Sequence, residues 1–390
     1  MKILLLGVGM QGKAALHDLV NSPAVSHVVA ADKDLEMLTD YVTSRRFDAK
    51  VTCRHLDASD PAEVDRLASD RPDVIIDLLP VPFIDSVVKA AVKHGCHMVN
   101  SFYPTPGMIE HAEEARSKNI AILPEFGLDP GIDLVLLGKA LQSFDEIFEI
   151  RSYGAGLPEF QAIDNPLKYK VTWTFDGVLN SYCRPCYLIQ DGKTVEIPGN
   201  EIFNPENVHK LEVEGLGSLE AYPNGDASQY IEPLGIDSEK LRLMGRYSLR
   251  WPGHCELWKT LVDLHLLDDE LVLVSSHAVD RKKFLAAVIE PHIRLGENQR
   301  DIALVRIEVE GTKDGQTQRH IYQVLDLRDL KTGLTAMSRT VGFTVSIGAQ
   351  FLGTGKISTR GLLSPLRDIP FDLVLDELKK RNVRVTVETS

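Results

Sequence analysis

The chain has 390 residues, 44% hydrophobic and 25% charged, a globular composition with more length than one ordinary core uses, so two domains are expected. A formal net charge of -13 argues against a nucleic-acid partner, since phosphate binding needs clustered Lys and Arg. No run approaches ~18 apolar residues, which excludes a helical membrane span, and five cysteines with no export signal fit free thiols in a reducing cytoplasm.

From the N-terminus, "KILLL" (2–6) is a continuous apolar run ending at glycines, which reads as a buried parallel strand and not as a signal peptide. "GVGMQG" follows, placing Gly7, Gly9 and Gly12 at GxGxxG spacing, with Met10 and Gln11 between them. Ala15, Leu16, Leu19 and Val20 then form one apolar stripe, as on a helix. Strand, glycine turn and helix N-terminus in that order suit a dinucleotide pyrophosphate.

The alternation continues through "VSHVVAAD", "KVTCRHLD", "DVIIDLLP", "HMVNS" and "IAILPE" as strands, giving six in all, with helical segments between them that stop near Gly95 and Asn119. A Rossmann-type doubly wound parallel sheet over 1–130 is therefore expected. Asp32 ends the second strand, twenty residues after Gly12, where a carboxylate can accept from an adenosine ribose. A 2'-phosphate there would meet like charge, so NAD is expected over NADP, with Lys33 pulling the other way. Asp57 at the end of the third strand is placed at the adenine edge or in an ordinary turn. Leu79, after the fourth strand, completes the cofactor set.

Beyond residue 145 the rhythm changes. "ALVRIEVEG" and "RHIYQVLDL" flank Asp314-Gly315, a hairpin signal. Residues 131–335 are read as an α+β domain with a mainly antiparallel sheet, and 336–390, opening with the small-residue helix "AMSRTVGFTVSIGAQFLGTG", as returning to the first domain. Cys183 and Cys186 in "CRPC" lack the second ligand pair of a structural zinc site, and no metal is expected.

"FGLDPGID", "GLPEFQAIDNPLKYKVTW", "LEAYPNGDASQYIEPLGI" and "RYSLRWPGHCE", in this order behind a dinucleotide fold, resemble the saccharopine dehydrogenase (saccharopine reductase) family, including its relative L-lysine 6-dehydrogenase. The resemblance covers nearly the whole chain. It implies hydride transfer between a nicotinamide and the carbon of a C-N bond on a lysine side chain. The expected reaction is NAD-dependent oxidation of saccharopine to glutamate and 2-aminoadipate 6-semialdehyde. Oxidation of free lysine at the ε-carbon and a non-catalytic NAD(H) sensor are the alternatives. A small amino-acid substrate, no nucleic acid, no membrane and a homodimer complete the expectation.

The amine must be neutral before it loses hydride, yet an alkylamine has a pKa near ~10, so a base or a desolvating pocket is needed. Asp129 is the first candidate to hold the amine, although Asp129-Pro130-Gly131 also has the form of a helix N-cap followed by a first-turn proline. Glu125, beyond the sixth strand, is the second. Arg246 and Arg250, four apart and so on one face of a strand, are candidate carboxylate forks. Pro130, Gly131 and Tyr169 join them at the substrate, and His254 is the candidate proton shuttle. One feature of the pattern is missing. The saccharopine enzymes place an arginine in the stretch that reads "YPNGDAS" here, and Gly225 cannot replace it.

Overall fold

The computed structural model describes residues 1–390, which divide into two compact units. The first comprises Met1–Gly138 and Ser338–Arg384, the second Lys139–Met337 and Val385–Ser390.

In the first unit, β1 (Lys2–Leu6), β2 (His27–Asp32), β3 (Val51–His55), β4 (Val74–Asp77), β5 (His97–Asn100) and β6 (Ala121–Leu123) form a parallel sheet. Their order is β6-β5-β4-β1-β2-β3, the doubly wound arrangement read from the alternation. A seventh strand was not anticipated: β17 (Gly361–Leu362) joins β6 in parallel, and two residues carry no detectable periodicity. Helix Ile84–His94 ends where expected, with Gly95 at φ +77 as a left-handed cap. The small-residue segment is one helix, Ala336–Gly353.

The second unit is built on a nine-stranded mixed sheet. β7 (Glu146–Pro158) lies antiparallel to β15 (Asp301–Lys313), which turns through Asp314 and Gly315 into β16 (Gln316–Leu327). Both turn residues have positive φ, as a two-residue hairpin with right-handed strand twist requires. On its other side β7 runs parallel to β12 (Leu243–Arg250), which pairs with β11 (Gly217–Pro223) and β8 (Cys186–Gln190); β10 (His209–Val213), β9 (Lys193–Ile197) and β18 (Arg384–Thr389) complete the sheet. A separate two-stranded ribbon joins β13 (Val272–Val274) to β14 (His277–Val279). One core cluster packs against this sheet and includes Tyr153, Tyr169, Tyr182, Tyr222 and Trp258.

Candidate active site

In the first unit the glycines answer to close backbone approaches. Gly7 has φ +83, and a Cβ there would lie 2.7 Å from Leu78 O; a Cβ on Gly12 would lie 2.1 Å from Gly7 O. Gly9 differs, because a Cβ on it would meet nothing within 4 Å, so the space beside it is open to a ligand. Gly9 is also the N-cap of helix Met10–Asn21 and gives it no side-chain cap, leaving the first-turn amides available to phosphate oxygens. The residues present therefore fit a dinucleotide pyrophosphate.

Asp32 is differently employed from the free ribose acceptor expected of it. Its Oδ2 accepts from Val8 N at 2.6 Å and its Oδ1 from Asp34 N at 3.0 Å, so the carboxylate braces the glycine turn. Lys33 follows it and is exposed, and His55 of β3 is its register partner. β3 ends at His55, so Asp57 lies in the following turn, where its Oδ1 accepts from Ser59 N at 3.0 Å and Ser59 Oγ at 2.7 Å. Those bonds hold its carboxyl below the usual range. Asp57 is thus at least an Asx-turn residue.

Leu79 donates its amide to Asp77 Oδ1 at 3.0 Å. Asp77 and Asn100, paired in register at the ends of β4 and β5, are both 0% exposed, and the sequence reading did not single them out.

Past β6 the chain turns sharply. Glu125 is buried with φ 54 and donates its amide to Phe102 O at 2.7 Å. Asp129 is exposed. It is not the helix N-cap anticipated: the helix is Ile132–Leu141, Gly131 has φ +146, and Gly127 N donates to Pro130 O, so Pro130 and Gly131 belong to a tight turn before the helix. A Cβ on Gly131 would strike Gly127, which fixes glycine there.

In the second unit β12 carries Arg246 and Arg250, 7% and 6% exposed. Arg246 lies over the Tyr230 ring at 5.1 Å; Arg250 lies over Tyr169 at 5.3 Å and Tyr222 at 5.8 Å. Arg250 donates through Nη1 to Leu249 O at 2.9 Å, its Nε has no partner, and no carboxylate of the chain pairs with it. Burial opposes its charge, but Tyr182, Tyr222 and Tyr169 hold its pKa above the ordinary value. His254 is 1% exposed, with Nε2 2.8 Å from Tyr182 Oη and Nδ1 3.1 Å from Leu167 O. The carbonyl fixes the proton on Nδ1, so Nε2 accepts from the tyrosine. Burial, then the Arg250 charge, hold the imidazole well below 6.5, and both its nitrogens are engaged within the core. Cys183 and Cys186 are free, with thiols pushed up by burial.

Residues 3–123 match the saccharopine dehydrogenase NADP binding domain and residues 127–383 the saccharopine dehydrogenase C-terminal domain. The saccharopine dehydrogenase (NADP+, L-glutamate-forming) of Pyricularia oryzae is 26% identical over 445 residues, covering 97% of this chain and 96% of that one. Its Schizosaccharomyces pombe counterpart is 27% identical over 400 residues, covering 85% and 87%. Among solved structures, apo saccharopine dehydrogenase (L-Glu forming) from Saccharomyces cerevisiae superposes with TM-score 0.88 at 23% identity, covering 100% of this chain and 99% of that one, a likeness of fold. These matches overturn the expectation of NAD: the nucleotide-binding domain is of the NADP class and both relatives are NADP+ enzymes. The inference from Asp32 failed because its two oxygens are committed to Val8 and Asp34, while the adjacent Lys33 is exposed. The glycine turn, the unpaired buried arginine and the two domain matches converge on one assignment: the chain belongs to the saccharopine dehydrogenase family.

Proposed function

We propose that this protein is an NADP(H)-dependent saccharopine dehydrogenase of the L-glutamate-forming kind: saccharopine, NADP+ and water give L-glutamate, 2-aminoadipate 6-semialdehyde, NADPH and a proton. The observation that carries the reading is Arg250, a nine-tenths-buried guanidinium with an unpartnered Nε and no carboxylate in the chain to neutralise it. The tyrosines around it keep the group charged, and its Nε still lacks the acceptor that a substrate carboxylate supplies. Saccharopine is rich in carboxylates, and Arg246 on the same strand face adds a second fork.

When bound, the nicotinamide supplies the hydride acceptor. The chain's own residues do the rest. Gly9 and the first-turn amides receive the pyrophosphate, and Lys33 is the cation a 2'-phosphate meets at the end of β2. Asp129 and Glu125 follow β6, beyond the carboxyl ends of the strands, where open α/β folds bind ligands. They are assigned to orienting the amine and taking its proton, so that nitrogen is neutral when the adjacent carbon loses hydride. His254, neutral and doubly hydrogen-bonded, orients Tyr182 in the wall around Arg250. One observation favours a second reading, oxidation of free lysine: Gly225 provides no fork for a further carboxylate.

The test is a panel of saccharopine and lysine against NADP+ and NAD+, followed by reduced-nicotinamide absorbance. Saccharopine with NADP+ should exceed every other pair in kcat/KM, lysine by at least about 100-fold, because two lost charge-assisted contacts at roughly 1.5–3 kcal/mol each multiply. A preference for lysine overturns the substrate, and binding of NADPH without turnover of either amine overturns catalysis.

A further inference from the structure

The arginine missing at 225 has a neighbour that reaches the same place from elsewhere in the chain. Arg184 lies in "CRPC", between helix Phe175–Ser181 and β8. Its Nη2 donates to Asn224 Oδ1 at 3.1 Å, and Asn224 Nδ2 donates to Ser248 Oγ at 2.9 Å. Ser248 stands on β12 between Arg246 and Arg250, and alternate residues of a strand share a face. Arg184 is thus tied through two hydrogen bonds to the face that carries the other two arginines.

The backbone holds this arrangement from both sides. Asn224 N donates to Arg246 O at 2.9 Å, Tyr187 N to Gly225 O at 3.1 Å, and Ala227 N to Tyr187 O at 2.9 Å, which stitches "NGDAS" between β8 and β12. A Cβ on Gly225 would meet nothing within 4 Å, so the protein leaves that space open. Arg184 is exposed, its one hydrogen-bond acceptor is a neutral amide, and it forms no ion pair with any carboxylate of the chain.

We propose that Arg184 is a third carboxylate-binding residue of the substrate site and sets its preference for an amine bearing three carboxylates over one bearing a single carboxylate. The proposal rests on the saccharopine reading. Arg184, Arg246 and Arg250 then match the three carboxylates of saccharopine in number, and the fork absent from residue 225 is supplied by residue 184. Gly225 has φ +82, a conformation that a side chain adopts only with strain, so an arginine arriving from the neighbouring segment avoids that cost.

The test is Arg184→Gln in the full chain, which keeps a donor for Asn224 and removes the charge, assayed with saccharopine and NADP+. KM for saccharopine should rise about 10-fold or more, the loss of one charge-assisted contact, with kcat within about twofold. NADPH affinity and the thermal midpoint should not move, and inhibition by glutarate, a simple dicarboxylate, should weaken in parallel. Arg184→Lys should recover part of the affinity. An unchanged KM in an Arg184→Gln protein that still turns over saccharopine overturns the proposal and leaves the reading standing. Equal losses in the Gln and Lys variants with a lowered thermal midpoint mark a structural arginine and also overturn it. A wild-type chain inactive on saccharopine defeats the reading and the proposal together.

Discussion

Asp77 ends β4 without solvent exposure: its Oδ1 accepts from Leu79 N, its Oδ2 is buried, and the amide of Asn100, its register partner on β5, lies against it. Burial pushes its carboxyl from 3.8 up to about 7, against the opposing pull of the Leu79 amide and Asn100. Between those values the unfolded chain has lost its proton and the folded chain has kept it, so stability falls as pH rises through that window. Asp77→Asn keeps an acceptor for Leu79 and removes the ionisation. It should therefore stabilise the protein by on the order of 2 kcal/mol more at pH 8 than at pH 5. Denaturant melts at the two pH values check this, and an equal effect at both would mean that Asp77 ionises freely. The residue scale is also where the sequence said least. It offered Asp32, Asp129, Arg250 and His254 by residue type and position. A carboxylate's partner 24 positions away in the chain, as Val8 is for Asp32, leaves no mark in any periodicity. The pairing of His254 with Tyr182 across 72 positions is equally silent.

Among the elements, those with long regular patterns were legible and those fixed by a single turn were not. The β15–β16 hairpin announced itself through Asp314-Gly315, and the helix Ala336–Gly353 through its small residues. The helix after β6 was misplaced at its start, because the Gly127–Gly131 turn delays it to Ile132. The small residues have a specific use. A Cβ on Gly342 would lie 2.4 Å from Gln11 O and 2.7 Å from Ala14 Cβ, directly behind the first turn of the helix that follows the glycine loop. Gly342→Val must displace that turn, whose amides are assigned to the pyrophosphate, at a typical overpacking cost of about 1–3 kcal/mol. The expected outcome is a lower thermal midpoint together with at least about a 10-fold rise in the NADPH Kd, roughly 1.4 kcal/mol. Gly348→Ala is the control. Its Cβ would strike Phe126 at 2.5 Å, so it should lower the midpoint with little change in NADPH binding. If both variants bind NADPH as the wild type does, the packing behind Gln11 does not set cofactor affinity.

At the scale of the whole molecule, the bonds that tie the last segment into the first unit join residues hundreds of positions apart and leave no mark in the sequence. The first unit is discontinuous, joining Met1–Gly138 to Ser338–Arg384. Arg381 grips Asp18 of the helix Met10–Asn21 with Nε at 2.6 Å and Nη2 at 2.9 Å, and its Nη1 lies 2.7 Å from Glu377 Oε2. Ser346 Oγ donates to the same Asp18 at 2.6 Å. All three ionic side chains are largely buried, so removing the arginine leaves a carboxylate short of its partner, a change that costs on the order of 3 kcal/mol. A chain ended after Met337 keeps the whole glycine turn, yet loses Arg381, Ser346 and the apolar residues Ile347, Phe351, Val374 and Leu378 that are buried in this unit. It should therefore fail to bind NADPH, and hydrogen exchange should show residues 1–138 unprotected, whereas full-length Arg381→Ala should bind NADPH with a reduced thermal midpoint. A truncated chain that titrates NADPH with a Kd within about twofold of the full-length value would show that residues 1–138 fold alone, and that the returning segment stabilises the nucleotide site without being needed to form it.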